Sequence, residues 1–305
     1  MTFVIGVDGG GTHARAVIVD ESGREMARAQ APGAVVTLRG HAAAVAAVEA
    51  AVKAAADSGG VALPGGALWA GLAGAGHEES RAAVERGLAA AGLARRVRVG
   101  TDAEAAFHAA FSDGPGLMLI AGTGSVAWGR GAAGEVRVGG WGQQLGDEGS
   151  GYAIGLSAVR AIVRAEDGRA APTLLRAEIL DTLRLGTTVE LIPWAASASK
   201  AEFAALVPLV GRCASRGDAA AREILDEATA DLEAHVRGIL AKSGPWRTRP
   251  GLLLSGGVIG PGGTLRDALV SRLASQPVDV LEGDVDAATG AASLALASMR
   301  GRPGR

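Results

Sequence analysis

Hydrophobic and polar positions near the amino terminus alternate in a way that predicts strands joined by tight turns. An apolar run over residues 4–7 ends in Asp8, and three glycines and Thr12 follow it. Polar and apolar side chains then alternate over residues 13–19, and residues 23–29 can form a third strand. Because glycine-rich breaks between such runs are typical of hairpins, we expect an antiparallel three-stranded start.

Stretches with helical spacing alternate with buried strands farther along the chain. After the three strands, the first half is expected to continue as helix, strand, helix, strand and helix, near residues 41–57, 67–73, 78–92, 97–99 and from 102 onward. The second half repeats this plan with strands at 116–121, 126–129, 135–138, 252–255 and 278–280. A helical region at about 150–240 interrupts it, and a closing helix at 286–299 ends it.

The two similar halves predict an α/β protein of two domains, each with a mixed sheet flanked by helices and with a cleft between them. We expect a first domain at 1–113 and a second at 114–305. The second domain includes a helical insertion at about 150–243. The closing helix, 286–300, is a candidate for packing back on the first domain.

The first glycine turn is a candidate phosphate site. Backbone N–H groups of Gly10 and Gly11 can turn toward an anion because glycine has no Cβ, and Thr12 adds a hydroxyl. Asp8 can hold Mg²⁺ through water on the same phosphates. A hairpin turn that binds nothing is the alternative. A dinucleotide fingerprint is rejected because a strand follows the glycines, and no P-loop motif occurs.

A second turn at the corresponding place in the second half repeats the pattern. It consists of Gly122, Thr123, Gly124 and Ser125, again after a buried strand. Two such turns, one in each domain, can supply N–H groups to a polyphosphate from both sides. Their recurrence at matching positions strengthens the phosphate interpretation.

Asp102 follows a predicted strand and begins a predicted helix. It can act as a general base that takes the proton of a substrate hydroxyl during phosphoryl transfer. The alternative is a helix N-cap, a position that aspartate often fills. Thr101 and Glu104 have weaker claims to chemistry, and Glu104 suits the first turn of a helix.

A loop at 139–150 combines many glycines with polar and aromatic side chains. Trp141 can lie against the apolar face of a sugar, next to Gly140, and Asp147 can accept hydrogen bonds from sugar hydroxyls. Alternatively, the tryptophan belongs to the core and the acidic pair, Asp147 with Glu148, begins a helix. Gly256 and Gly257, after another strand, allow a nucleoside to approach closely.

Composition excludes several classes of function. A net charge of −2 without a long basic run argues against nucleic acid, as does an aromatic content of 3%. Cys213 is the only cysteine, so no disulfide framework or cysteine-ligated cluster can form within the chain. Glycines and Pro64 break the one uncharged stretch of membrane-span length, so no membrane segment is expected and the protein is expected in the cytoplasm.

These motifs, in this order, resemble the actin-like ATPase superfamily of sugar kinases, heat-shock ATPases and actin. The closer resemblance is to the BadF/BadG/BcrA/BcrD-type ATPases and, within them, the N-acetylglucosamine kinases. It rests on residues 140–142 and 146–150, with support from 8–12, 101–103 and 121–125. The resemblance implies two ribonuclease H-like lobes around ATP and Mg²⁺.

The same resemblance implies roles for individual residues. It puts Thr12 and Thr123 on the ATP phosphates and Gly257 beside the adenosine. Asp102 is then the base, and Trp141 and Asp147 meet the sugar. One departure concerns the loop after the third strand, where the family's N-acetylglucosamine kinases carry an asparagine and this chain reads Ala-Val-Val-Thr at 34–37.

Three hypotheses about function follow. The first is a kinase for an amino sugar, N-acetylglucosamine or glucosamine, acting on the hydroxyl at carbon 6. The second is a conformational switch that hydrolyses ATP to act on a partner protein. The third is a sugar-binding regulator without catalysis, which the paired phosphate turns and Asp102 disfavour. A homodimer is expected because dimers are the commonest oligomers.

Overall fold

The computed structural model describes residues 2–10, 13–36, 40–283 and 285–300. Its strands are β1 (Phe3–Gly9), β2 (His13–Asp20), β3 (Glu25–Pro32), β4 (Ala67–Leu72), β5 (Val97–Gly100), β6 (Gly116–Ala121), β7 (Ser125–Gly131), β8 (Gly134–Gly139), β9 (Gly251–Ser255) and β10 (Asp279–Val280). Its helices are α1 (His41–Gly59), α2 (Glu78–Ala90), α3 (Asp102–Phe111), α4 (Gly151–Glu166), α5 (Leu175–Leu183), α6 (Leu191–Ser197), α7 (Lys200–Ala204), α8 (Val207–Ser215), α9 (Ala219–Ser243), α10 (Arg266–Leu273) and α11 (Ala287–Met299).

Contacts divide the chain into two compact units. The first comprises Met1–Gly114 and Val285–Arg305, and the second comprises Pro115–Asp284. Each unit contains a five-stranded sheet, ordered β3-β2-β1-β4-β5 in the first and β8-β7-β6-β9-β10 in the second. The two sheets therefore have one topology, as the repeated sequence pattern predicts.

The first sheet is covered on both faces, and the alternation of side chains along β1 explains how. Ile5 and Val7 belong to a core cluster that includes buried residues of α1 and α2. Val4 belongs to a separate cluster with Ala288 and Ala292 of α11. Because successive strand residues point to opposite faces, one apolar strand serves two helical layers.

Helix α11 lies so close to β1 that only glycine fits at position 6. A Cβ on Gly6 would overlap the backbone of Ala288 and Ala292. On the side of α11 that contacts α3, a Cβ on Gly290 would likewise overlap the backbone of Ala105. The alanines and glycines of the closing helix are thus explained by close backbone packing.

The second unit surrounds its sheet with a larger helical region. Leu117 and Leu119 of β6 join a core cluster with Ile154 of α4, Val210 of α8 and Val236 of α9. Helices α4–α9 all lie in sequence between β8 and β9, where the first unit has α1 alone. This region corresponds to the predicted helical insertion.

The predicted order of strands and helices is observed in both halves, apart from α10 between β9 and β10, which the sequence analysis did not predict. The sequence analysis includes 286–300 in the range of the second domain and names this helix as a candidate for packing back on the first. The structure assigns residues from Val285 onward to the first unit, where α11 packs on β1 and α3. Among the described residues, no helix combines the length and apolarity needed to cross a bilayer.

Candidate active site

The turn between β6 and β7 offers backbone donors at the end of the central strand of the second sheet. Gly122 N donates to Gly124 O at 3.0 Å, whereas the N–H groups of Thr123 and Gly124 have no partner among the described residues. Thr123 is exposed, so its hydroxyl is accessible. Unpaired donors in a glycine turn are suited to phosphate oxygens.

Helix α4 begins next to this turn and holds its shape. Gly151 N donates to Gly122 O at 2.8 Å, and Tyr152 N donates to Thr123 O at 3.2 Å. The carbonyl oxygens of the turn are therefore occupied. What the turn can still offer a ligand is its N–H groups, together with the Thr123 hydroxyl.

Strand β9 ends beside the same turn. It is the parallel neighbour of β6, and Val258 N donates to Ala121 O at 2.9 Å. Gly256 has a φ of 94°, in the left-handed region, and a Cβ there would overlap the backbone of Ala121. Gly257 is exposed, with open space where a side chain would be. The predicted phosphate and adenosine residues of this unit therefore lie together.

Asp147 lies against the turn and is only 4% exposed. Its Oδ1 accepts a hydrogen bond from Ser125 N at 3.3 Å, and its Oδ2 accepts one from Lys200 Nζ at 2.8 Å. Its φ of 60° lies in the left-handed region, which aspartate adopts more readily than most residues. The carboxylate predicted to bind a sugar is thus engaged by the phosphate turn and a lysine.

Trp141 lies on the surface rather than in the core, with 67% of the residue exposed. The Arg137 guanidinium carbon lies 5.5 Å from the centroid of its ring. Gly140 N donates to Ser125 O at 3.0 Å, so the loop that carries the indole is attached to β7. An exposed indole on an anchored loop can receive the apolar face of a sugar.

Gly10, which follows β1, makes two backbone hydrogen bonds. Gly10 N donates to His13 O at 3.0 Å, and Gly10 O accepts from Ala34 N at 3.0 Å. Gly11 and Thr12, two of the predicted phosphate-binding residues, lie outside the described residues.

Sheet register brings the two candidate acids of the first unit to one edge. Asp8 of β1 pairs with Gly71 of β4, and Gly71 pairs with Gly100 of β5. The three strands are parallel, so these residues end neighbouring strands at the same edge. Asp102 follows Gly100 by two residues. Polar groups at the carboxyl ends of parallel strands are the usual components of a site in open α/β sheets.

Asp102 is not the N-cap of α3, since Thr101 fills that position. Thr101 Oγ1 accepts from Glu104 N at 3.1 Å, and Glu104 Oε2 accepts from Thr101 N at 2.8 Å, which completes a capping box. Asp102 Oδ1 accepts a local hydrogen bond from Ala103 N at 2.9 Å, and no ion pair involves Asp102 among the described residues. Burial raises the pKa of the Asp102 carboxyl.

Two features were missed by the sequence analysis. The capping box is visible as Thr101 followed three residues later by Glu104, a spacing that identifies the true cap. Lys200, one of three lysines in the chain, carries no local signal for its contact with Asp147, since 53 residues separate them.

Two sheets of one topology, each with a glycine turn after its central strand, define an actin-like ATPase fold of the class found in sugar kinases. The BadF/BadG/BcrA/BcrD ATPase family profile matches residues 5–295, and the chain belongs to that family. The predicted family and fold class are therefore confirmed.

Individual relatives agree with this assignment. An N-acetyl-D-glucosamine kinase of Dictyostelium discoideum is 31% identical over 316 residues, covering 97% of this chain and 98% of the relative. An N-acetylmuramic acid/N-acetylglucosamine kinase of Clostridium acetobutylicum is 34% identical over 196 residues, covering 63% of this chain and 64% of the relative, which is just under two thirds. A Chromobacterium violaceum structure, provisionally assigned as an N-acetylglucosamine kinase, has 30% identity and a TM-score of 0.79, covering 97% of this chain and 99% of that chain.

Proposed function

We propose that this chain transfers the γ-phosphoryl group of ATP to the primary hydroxyl of an amino sugar, N-acetylglucosamine or glucosamine. Family membership and the kinases among its relatives support the reaction class. The observation that carries the proposal is the Asp102 carboxylate, which neither caps its helix nor pairs with a cation in the described part of the chain.

Asp102 has the properties that a general base needs. Burial raises the pKa of its carboxyl, so the ionised form accepts a proton more readily than an exposed aspartate would. In the proposed reaction it accepts the proton of the sugar hydroxyl as the oxygen attacks the γ-phosphorus. The bond from phosphorus to the bridging oxygen of ADP breaks, and ADP leaves with that electron pair.

The phosphates of ATP are assigned to the two glycine turns, with the unpaired N–H groups of Thr123 and Gly124 as donors. Among the described residues, no group of three or more potential metal ligands occurs. One carboxylate at the phosphates is nevertheless enough for Mg²⁺, which keeps several waters, and Asp8 at the end of β1 fits that role. When bound, Mg²⁺ supplies positive charge that offsets the charge of the phosphates.

The sugar is assigned to Trp141, Gly140, Asp147 and Asp102. The exposed indole supports stacking on the ring. Val35, in the loop after β3, is exposed. The family's N-acetylglucosamine kinases carry an asparagine in this loop, and this chain has none at 34–36, so that side-chain amide is missing from the proposed sugar site. One such side chain can decide between an acetylated and a free amine.

The decisive experiment measures ADP release with ATP and Mg²⁺ in the presence of individual sugars. We expect turnover with N-acetylglucosamine or glucosamine, and a product phosphorylated at carbon 6 by NMR. N-acetylmannosamine and N-acetylmuramic acid test whether the configuration at carbon 2 and the substituent at carbon 3 affect recognition. ATP hydrolysis of equal rate with and without every sugar would reject the proposal in favour of a conformational switch.

We further propose that the enzyme works as a homodimer in the cytoplasm. The cytoplasm supplies ATP, and symmetric dimers are the commonest assemblies of soluble enzymes. Light scattering on the purified protein tests the dimer directly.

A further inference from the structure

Lys200 connects the helical insertion to the phosphate turn. Its Nζ lies 2.8 Å from Asp147 Oδ2, and the other oxygen of that carboxylate accepts from Ser125 N of the turn. The Asp147 side chain is 6% exposed, whereas that of Lys200 is 38% exposed. A lysine at the surface thus neutralises a carboxylate that has little access to water.

The position of Lys200 is fixed by its surroundings. Helix α7 begins with a capping box in which Ser199 N donates to Glu202 Oε2 at 2.7 Å and Ser199 Oγ accepts from Glu202 N at 3.3 Å. Lys200 is the first residue of this helix, where the helix dipole does not favour a cation. Its own helix therefore does not explain a lysine at this position, whereas Asp147 does.

Glycines in α4 let α7 approach closely enough for this contact. A Cβ on Gly155 would overlap the backbone oxygen of Phe203, and one on Gly151 would lie 2.9 Å from the Cβ of Ala204. Gly151 also donates its N–H to the turn at Gly122 O. Helix α7, helix α4 and the turn at residues 122–125 are therefore packed against one another.

This arrangement has an electrostatic consequence. A buried carboxylate that touches a phosphate turn repels a polyphosphate, and the repulsion is strong where water is scarce. A cation 2.8 Å from the same carboxylate cancels most of that field. The turn keeps the hydrogen bond from Ser125 N to Asp147 that shapes it, without presenting net negative charge to a ligand.

We propose that Lys200 is a positioning residue for nucleotide binding, which neutralises Asp147 so that the turn at residues 122–125 can accept the triphosphate of ATP. The inference rests on the proposed function, because it takes this turn to be the phosphate site. Its effect increases with the charge of the ligand, from AMP through ADP to ATP.

The test is calorimetric titration of the purified full-length protein with ATP, ADP and AMP in the absence of any sugar. We expect Lys200→Met to weaken ATP binding by about 5- to 150-fold, the usual range of coupling between two sites in a protein, and AMP binding by much less. Lys200→Arg keeps the charge and is expected to retain most of the affinity.

Neutralising the partner provides a rescue. Adding Asp147→Asn to Lys200→Met removes the uncompensated charge and is expected to restore most of the lost ATP affinity. Lys53→Met is the matched control, because Lys53 forms an exposed ion pair with Glu49 at 2.6 Å on α1 and should leave nucleotide binding unchanged. Thermal unfolding of each variant separates loss of affinity from loss of fold.

The outcomes distinguish the two proposals. Wild-type protein that binds none of the three nucleotides rejects the proposed function itself. Wild-type protein that binds ATP, together with a folded Lys200→Met variant of unchanged affinity, rejects only the role of Lys200. An affinity loss equal for AMP and ATP, or one that Asp147→Asn fails to reverse, also rejects it.

Discussion

Asp102 and Asp286 occupy comparable places in the sequence but have opposite surroundings. Each comes at the start of a helix that follows the last strand of a sheet, α3 after β5 and α11 after β10. Asp286 is the N-cap of its helix, where Oδ1 accepts from Thr289 N at 3.2 Å and Oδ2 accepts from Arg28 Nη2 at 2.5 Å. Burial alone would raise the pKa of its carboxyl, but hydrogen bonds from Arg28 and Thr289 outweigh burial and lower it.

Asp102 has none of these partners. Thr101 caps its helix in its place, and its pKa is raised by burial. The same residue type at a helix start thus stabilises structure in one case and keeps a basic carboxylate available in the other. The difference lies in which neighbour takes the cap and whether a cation reaches the carboxylate.

The largest expected effect comes from removing the charge of Asp102. Asp102→Asn is nearly isosteric and keeps an oxygen for the local N–H, but it cannot accept the proton of the sugar hydroxyl. Loss of a positioned general base costs about 10²- to 10⁴-fold in rate, so we expect kcat to fall by that factor. ATP affinity, measured without sugar, should be nearly unchanged.

Asp286→Asn is the matched control for this experiment, because it makes the same change at the start of the other helix. It should leave kcat close to that of the wild type. A near-normal kcat in Asp102→Asn, or an equal loss in both variants, would contradict the assignment of Asp102 as the base.

The pH dependence of activity sharpens the comparison further. Asp102 must be ionised to act, and burial raises its pKa. The apparent pKa of the acidic limb of the kcat/KM profile should therefore lie above the ordinary aspartate value of about 3.9. The same shift has a stability consequence of known sign. An aspartate with a raised folded-state pKa favours the folded state below its unfolded pKa, and that contribution is lost as pH rises through the folded pKa.

Asp102→Asn should therefore unfold at a slightly higher temperature than the wild type at neutral pH. An acidic limb at the ordinary aspartate value, or a variant less stable than the wild type at pH 7, would contradict a partly buried carboxylate without a cation partner. Differential scanning calorimetry and a pH series of initial rates make these two measurements.

Much of the fold could be predicted from the sequence because its signals are local. Apolar runs followed by glycine-rich turns predicted the two hairpins, and the repeat of that pattern predicted the shared topology. The unit to which the closing helix belongs could not be predicted in the same way. What assigns α11 to the first unit is the absence of a Cβ at Gly6, a residue that lies about 280 positions earlier in the chain.

The candidate site was predictable in its residue types and less so in its contacts. Asp102 was identified as a base or a cap, and the Thr101–Glu104 hydrogen bonds exclude the cap. Asp147 pairs with Lys200, a residue of a distant helix that no spacing rule connects to it. Long-range pairing of charges is set by tertiary packing, which a single sequence does not express.

The smallest expected effect concerns the structural aspartate. Asp286→Asn keeps a side-chain oxygen for the Thr289 N–H, because asparagine is also a good N-cap, but it removes the pair with Arg28. Both side chains are about 40% exposed, so solvent screens the pair and its loss should cost about 0–1 kcal/mol of unfolding free energy.

That cost should depend on pH in a defined direction. The folded-state pKa of Asp286 is lowered, so its contribution is present above the unfolded value of about 3.9 and is lost as pH falls through the folded pKa. Urea unfolding of the wild type and of Asp286→Asn should therefore differ at pH 7, and the difference should shrink on acidification below about pH 3.9. A difference that grows in acid would mean that Asp286 is not the charged partner of Arg28, and the contrast with Asp102 would then reduce to the identity of the capping residue.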